Sequence, residues 1–296
     1  AMLARSGHDV TVIGRPVQVD AIRRFGLRID SAAFQGAVPV HAVTDPAEAG
    51  TADIALVCVK SADTESAGRA LTPDLDERPP VFRYQNGIDN GDRLASVLSR
   101  LVISAAVYVA AEMIEPGHVK HHGHGDIEMG VSPVSERFAA ALREAGIAAT
   151  ITDDIRAVLW RKLITNCCYN ALSAIAQLPY GRLLELPEVR DVMRDVVDEC
   201  LAVAKASGIV LPGDPLPAVL KIAEAMPGQM SSTAQDLARG KPSEIDHLNG
   251  AILRAGARFG IPVPANRALY TLVKLVESKA RAGTPEIGGG CSRIQQ

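Results

Sequence analysis

Charge of one sign is scarce. Thirty-one Lys and Arg stand against 34 Asp and Glu, leaving the 296-residue chain at −3 with a pI of about 6.2. Such a balance offers no basic footprint for nucleic acid or for an anionic membrane surface. Long apolar runs are missing too. None reaches the roughly 18 residues that a membrane span needs, and no signal peptide is visible, so a cytoplasmic protein is expected. Cysteine is sparse: Cys58, Cys167, Cys168, Cys200 and Cys291 are odd in number and scattered. Cys167-Cys168 makes no CxxC, which argues against a redox pair or zinc site and for reduced thiols. Aromatics are few, at 5 Phe, 5 Tyr and 1 Trp, in an alanine-rich composition that is otherwise ordinary for a soluble globular protein. The length suffices for two domains, each with its own core.

What is present begins with a helix remnant. Ala1 to Arg5 reads as the last turns of a helix, closed by Ser6-Gly7, and His8 to Ile13 follows as a strand ending at Gly14-Arg15-Pro16. Helix, glycine and strand form the second half of a βαβ unit. In a dinucleotide-binding fold the preceding strand would lead into GxGxxG, whose backbone cradles the pyrophosphate. No GxGxxG occurs in the chain, so the first strand and its glycine loop are expected to be missing from it. Gly288 to Gly290 reads as part of a flexible tail over 284–296.

Arg15 follows that strand, where a basic residue suits the 2′-phosphate of NADP; a surface arginine is the plainer reading. Asp45 to Glu48 reads as a helical turn, and 27–29 and 38–43 as short strands. Asp53 to Val59 (DIALVCV) reads as the clearest buried strand, with Lys60 at its C-terminal end, where ligands of open α/β sheets bind. Thr64 to Leu71 is the crossover helix. Pro80 to Tyr84 is the next strand, ended by Gln85-Asn86-Gly87. Asn86 is either a turn residue or a donor to a carbonyl or carboxamide. Strands over 102–113 and 119–131 flank a turn at Glu115-Pro116-Gly117 and carry His118, His121, His122 and His124. Adjacent strand residues face opposite sides, so His121 and His122 do not share an ion, and no metal site is expected. A helix over 135–145 and a strand over 148–151 complete a first domain, 1–153, with Asp153-Asp154 as N-cap of the next helix.

From Ile155 onward the pattern is helical: 154–176, 187–207, 214–226, 231–239, 242–259 and 264–281, with Pro187 and Pro264 placed as first helical residues. A helical second domain, 154–283, is expected. Its first helix contains WRKLITNCCYNALS, where Lys162, Asn166, Asn170 and Ser173 stack as one polar stripe among apolar faces. That stripe is either a wet edge or a site wall bearing a lysine whose charge burial disfavours. Ser232 and Asp236 share a face. Ser243 and Asp246 have capping spacing, and Glu244 falls in a first turn, where helix-dipole charge alone would account for it.

These stretches together resemble the ketopantoate reductases (2-dehydropantoate 2-reductases). WRKLITNCCYNALSAI at 160–175, SSTAQDLARGKPSEIDHLNG at 231–250 and GIPVPAN at 260–266 carry the resemblance most specifically, with DIALVCVK at 53–60 and QNGID at 85–89 in support. The resemblance implies a Rossmann-type NADP-binding domain followed by an all-helical substrate and dimerisation domain. It implies reduction of 2-dehydropantoate to pantoate by NADPH, for pantothenate and coenzyme A synthesis. Lys162 is then similar to the family's general acid and Glu244 to its second essential residue. Asn86, Asn166, Asn170 and Ser232 resemble substrate-holding residues, with Lys60 and Asn86 lining the cofactor side and Arg15 selecting NADPH. A homodimer and a small-molecule 2-oxo acid partner follow from the same resemblance. Tyr180 and Gln229 stand where the family often has asparagine, which leaves room for another 2-oxo acid; the missing glycine loop leaves room for a cofactor-deficient homologue.

Overall fold

The structure, a computed structural model, describes residues 1–71 and 79–281. The tail with Gly288 to Gly290 and Cys291 lies outside the described residues. Two compact units divide the chain, Ala1–Leu163 and Ile164–Gln296.

The first unit opens with helix α1 (Met2–Arg5). Gly7 takes φ +92°, and the amides of Gly7 and His8 return to the carbonyls of Ala4 and Leu3. This is a Schellman ending, satisfying carbonyls that the helix leaves open. Strand β1 (Thr11–Ile13) leads to α2 (Pro16–Phe25), with Pro16 at the first turn. Strands β2 (Leu27–Asp30) and β3 (Gln35–Val38) form an antiparallel hairpin, and β4 (His41–Val43) pairs in parallel with β1 as a separate two-stranded sheet. The expected single strand over 38–43 is therefore two. Pro39, which has no amide hydrogen to donate, stands where the chain leaves one sheet for the other.

Next come β5 (Ala55–Val57), α3 (Thr64–Ala70), β6 (Val81–Arg83) and α4 (Asn90–Val97). The long hairpin β7 (Val102–Glu115) and β8 (His118–Gly130) follows, then α5 (Ser135–Glu144) and β9 (Ala149–Thr152). The seven-stranded mixed sheet runs β3-β2-β8-β7-β6-β5, and β9 pairs in parallel with the far half of β8. The fully buried reading of 53–59 is corrected. Only 55–57 is strand, Leu56 is 39% exposed and Val59 37%, because β5 ends the sheet path among the described residues. At β6 the alternation works as expected for a sheet covered on both faces. Phe82 packs with Phe138 of α5, while Val81 packs with Leu94 and Leu98 around α4.

Helix α6 (Ile155–Ala176) straddles the division between units. Asp154 caps it, its Oδ1 accepting the Ala157 amide at 3.0 Å. Strand β6 pairs with residues 102–104 of β7, so among the described residues the same edge of β7 has no strand neighbour beyond Ser104. Val158 and Leu159 of α6, with Ile155 and Ile88 alongside, pack on Ala106 there.

The described residues of the second unit are helical: the rest of α6, then α7 (Tyr180–Leu183), α8 (Pro187–Ala206), α9 (Leu216–Ala225), α10 (Ser232–Ala238), α11 (Asn249–Phe259) and α12 (Pro264–Arg281). Helix α8 buries one face, carrying Met193, Val196, Val197, Cys200, Val203 and Ala204, and packs against α9, α11 and α12. The GIPVPAN stretch is structural. Gly260 in the left-handed region ends α11, Pro264 starts α12, and Glu199 of α8 accepts the amides of Ala265 and Asn266 at 2.7 and 2.9 Å. A carboxylate at a helix N-terminus meets both its open donors and its dipole. The expected helix over 242–259 is corrected: a 3-10 turn (Ile245–His247) ends at Leu248, whose φ −109° and ψ −104° lie outside the helical region, and α11 starts after it.

Candidate active site

In the first unit the residues singled out from sequence sit beyond the C-terminal ends of parallel-paired strands. Arg15 follows β1 and is the exposed N-cap of α2. Lys60 is exposed and precedes the 3-10 turn Ser61–Asp63 after β5. Asn86 is half-buried after β6, in a turn where Gly87 adopts φ +85°. That value strains a side chain-bearing residue, which is why Asn-Gly occurs there.

The turn is held by residues the sequence reading passed over. Arg83 is fully buried in β6. Its Nε donates to Ser104 Oγ at 3.0 Å, and its Nη1 donates to the carbonyls of Gln85 and Gly87 at 2.8 and 3.2 Å. Burial lowers its pKa to about 10, countered by the charges of Asp89 and Asp92. The carbonyl between those two, that of Asn86, accepts from Asn90 Nδ2 at 2.6 Å. Arg83 in a strand is visible in the sequence only as a charge within an apolar run.

Lys162 is half-buried on α6, and its Nζ donates to the Val107 carbonyl at 2.7 Å. That carbonyl lies on β7 beyond the reach of β6, so the lysine satisfies a strand-edge acceptor. The Tyr108 ring centroid is 5.6 Å from Nζ, a cation–π distance.

In the second unit the polar stripe meets the start of α10. Ser231 is the N-cap, accepting from the Ala234 amide at 3.0 Å and donating to the Asn170 carbonyl at 3.3 Å. Asn170 is buried, and its Nδ2 is 3.4 Å from Oγ of the exposed Ser232, so the structure brings these two together. Asn166 is half-buried one turn earlier on the same helix. Ser173 Oγ donates to the Leu178 carbonyl at 2.8 Å and serves structure.

Glu244 is half-buried just before the 3-10 turn rather than in the first turn of a helix. The expected Ser243–Asp246 pairing does not form, because each has a nearer partner on α12. The amide and hydroxyl of Ser243 donate to Oε1 of the buried Glu277 at 2.9 and 2.6 Å. Asp246 accepts from Tyr270 at 2.7 Å and Lys274 at 2.9 Å, and Lys274 also pairs with Glu277 at 2.9 Å. Burial pushes both carboxyls up, but these donors outweigh it and leave Asp246 and Glu277 below the usual range. Tyr180 and Gln229 meet through the Tyr180 amide and the Gln229 carbonyl at 2.9 Å, and the Tyr180 ring packs on Tyr169 with centroids 4.3 Å apart.

The histidines of the β7–β8 hairpin are engaged within the protein. His121 reaches the His124 carbonyl at 2.7 Å, His122 pairs with Glu112 at 2.9 Å, and His118 with Asp30 at 3.1 Å.

Comparison with known proteins follows the same two parts. Residues 1–133 match the family model described as "Ketopantoate reductase PanE/ApbA", and residues 154–277 match "Ketopantoate reductase PanE/ApbA C terminal". A 2-dehydropantoate 2-reductase of Archaeoglobus fulgidus is 34% identical, over 94% of this chain and 93% of its own. The crystal structure of a PanE/ApbA family ketopantoate reductase from Ralstonia eutropha JMP134 is 52% identical with a TM-score of 0.91, covering 95% and 94% of the two chains. D-mandelate dehydrogenase, solved with NADH and anilino(oxo)acetate, shares the fold at a TM-score of 0.87 and 24% identity, covering 95% and 94%.

Proposed function

From the premise that the chain belongs to the ketopantoate reductase family, we propose that it reduces 2-dehydropantoate to pantoate with NADPH, for pantothenate and coenzyme A synthesis. The family is one of pyridine-nucleotide-dependent oxidoreductases with a Rossmann-like first domain and a helical second one. The observation that carries the reading is the setting of Lys162: a half-buried ammonium on α6 that donates to the Val107 backbone carbonyl and lies at cation–π distance from the Tyr108 ring.

The donor set suits the cofactor. Arg15, Lys60 and Asn86 each follow a parallel-paired strand, where open α/β sheets bind ligands. Arg15 matches a 2′-phosphate, and the Asn86 amide matches a carboxamide or a substrate carbonyl. NADPH, when bound, supplies the hydride. Lys162 then delivers a proton from Nζ to the oxygen that was the C2 carbonyl, which becomes the alcohol. On the family resemblance, Asn86 polarises that oxygen, Asn166, Asn170 and Ser232 hold the substrate, and Glu244 is the second essential residue.

A second reading keeps the chemistry and changes the acid. Tyr180 and Gln229 are bulkier than the asparagines common in the family at those positions, and their backbone contact makes them one local feature. Another 2-oxo acid, differing at the end distal to its keto acid group, is the substrate on that reading. One assay decides: NADPH oxidation with ketopantoate and a panel of 2-oxo acids. Preference for ketopantoate supports the first reading, preference for another member the second, and absence of turnover on all of them overturns both.

The protein is further proposed to act in the cytoplasm as a homodimer. No helix among the described residues is long and apolar enough to cross a membrane. Phe259, Leu272 and Leu275 leave apolar surface on α11 and α12, exposed by 39%, 45% and 59%. Light scattering that returns a monomer mass at working concentration would remove the dimer.

A further inference from the structure

We infer that Asn90 is the positioning residue that locks the Lys60 loop to the Asn86 turn, so that these two site residues move as one body. The inference rests on the reading of Lys60 and Asn86 as site-lining residues.

Asn90 opens α4 and is fully buried. A side-chain amide has two donor hydrogens and an acceptor oxygen with two lone pairs. All are used here. Nδ2 donates to the Asn86 carbonyl at 2.6 Å and to Ser61 Oγ at 2.9 Å. Oδ1 accepts from Arg93 Nη1 at 2.9 Å and lies 3.0 Å from Thr64 Oγ1, whose one hydrogen it shares with the Ser61 carbonyl at 2.9 Å. Ser61 Oγ is itself 3.4 Å from the Asn86 carbonyl, and Gln85 Nε2 donates to Thr64 Oγ1 at 2.7 Å. One amide thus joins the loop after β5, which carries Lys60, to the turn after β6, which carries Asn86. Arg83 holds the carbonyls of Gln85 and Gly87 on either side, so three successive carbonyls of the turn are gripped by buried side chains.

This junction exceeds what folding the two strands requires. Strands β5 and β6 are already paired in register, and α3 and α4 already pack on each other. Arg83 Nη2 and Gln85 Oε1 are buried without a hydrogen-bond partner, but both Asn90 donors are paired, and a buried junction so paired rigidifies what it connects. Placement errors near 1 Å at a reacting centre cost on the order of a hundredfold in rate.

The test is Asn90→Asp, which keeps shape and both acceptor contacts but replaces the two donors with an acceptor facing the Asn86 carbonyl. Hydrogen exchange on the full chain should quicken by about tenfold or more in both 60–63 and 86–89, with the β6–β7 ladder unchanged. The turnover number should fall by roughly ten- to a hundredfold, with a smaller change in KM for the acid. In an Asn86→Ala background Asn90→Asp should cost little further, because its effect passes through Asn86. Ser61→Ala, which removes one arm only, should quicken exchange less in the same two segments. Val197→Ala, which leaves a cavity under the buried face of α8 and touches neither loop, is the control for destabilisation alone: a lower Tm with a wild-type turnover number.

Unchanged exchange in either segment overturns the inference, and so does additivity of the two substitutions on turnover. A wild-type chain that reduces no 2-oxo acid overturns the reductase reading instead, and the exchange measurement still decides the lock.

Discussion

The two units hold their site residues by different physics. In the first, Asn86 and Lys60 are tied down by mostly buried amide, hydroxyl and carbonyl groups around Asn90, with the Arg93–Glu65 ion pair at their edge, where Arg93 holds the Glu65 carboxyl down to about 2. In the second, the turn bearing Glu244 is pinned to α12 by Glu277, Lys274 and Asp246, a charged cluster partly open to water. Neutral junctions are indifferent to pH in the working range. Charged clamps titrate. The comparison teaches that acid should loosen the Glu244 end first while the Asn86 end keeps its shape.

The largest effect is expected at Lys162, which donates to the Val107 carbonyl and carries the chemistry on the proposed mechanism. Lys162→Ala should lower the turnover number by about 10²- to 10⁴-fold, the usual range for losing a general acid. An unchanged maximal rate would show that the proton comes from elsewhere. A smaller effect belongs to Arg15. Arg15→Ala should raise KM for NADPH roughly tenfold, the weight of one lost charge-assisted contact, and leave KM for NADH as it is. Equal changes for both cofactors would remove Arg15 from the 2′-phosphate.

Acid stability tests the contrast directly. Glu277 and Asp246 have folded-state values below the ordinary 4.5 and 3.8. A depressed carboxyl contributes stability that is full above its unfolded value and is lost as pH falls through the folded one. Melting temperature should therefore fall as pH drops below about 4.5, with exchange rising first in 243–247 and α12. Glu277→Gln should flatten that dependence, and a curve parallel to wild type would break the assignment. The smallest effect is at Tyr270→Phe. It removes one hydrogen bond to Asp246, worth about 1 kcal/mol in denaturant unfolding, and should leave the 60–63 and 86–89 segments untouched.

Local signals were the legible ones. Gly7 ending α1, Asp154 capping α6, and Pro187 and Pro264 opening α8 and α12 each act within a few residues, and each lies where the spacing placed it. The resemblance motifs identified the family, and the polar stripe on α6 was read before any partner for it was known. What escaped was long-range. Ser243 looked paired with Asp246 three residues on, yet its partner Glu277 is 34 residues away. The strand at 55–57 looked buried because its composition is that of an interior strand, but position at the end of a sheet path is not a local property. Asn90 and Arg83 carried no motif; their meaning comes from carbonyls brought near them by neighbouring loops.

By itself the sequence determined the family, most of the helices and strands in their order, and the side chains offered for the chemistry, because periodicity, caps and motif residues act over short distances along the chain. Only the tertiary structure decided which carbonyl Lys162 satisfies, how the Asn86 turn is gripped and what holds Glu244. Those are pairings across 34 to 55 residues for Ser243–Glu277 and Lys162–Val107. A buried polar group takes whatever donor or acceptor packing brings within 3 Å, and packing is settled by the whole fold.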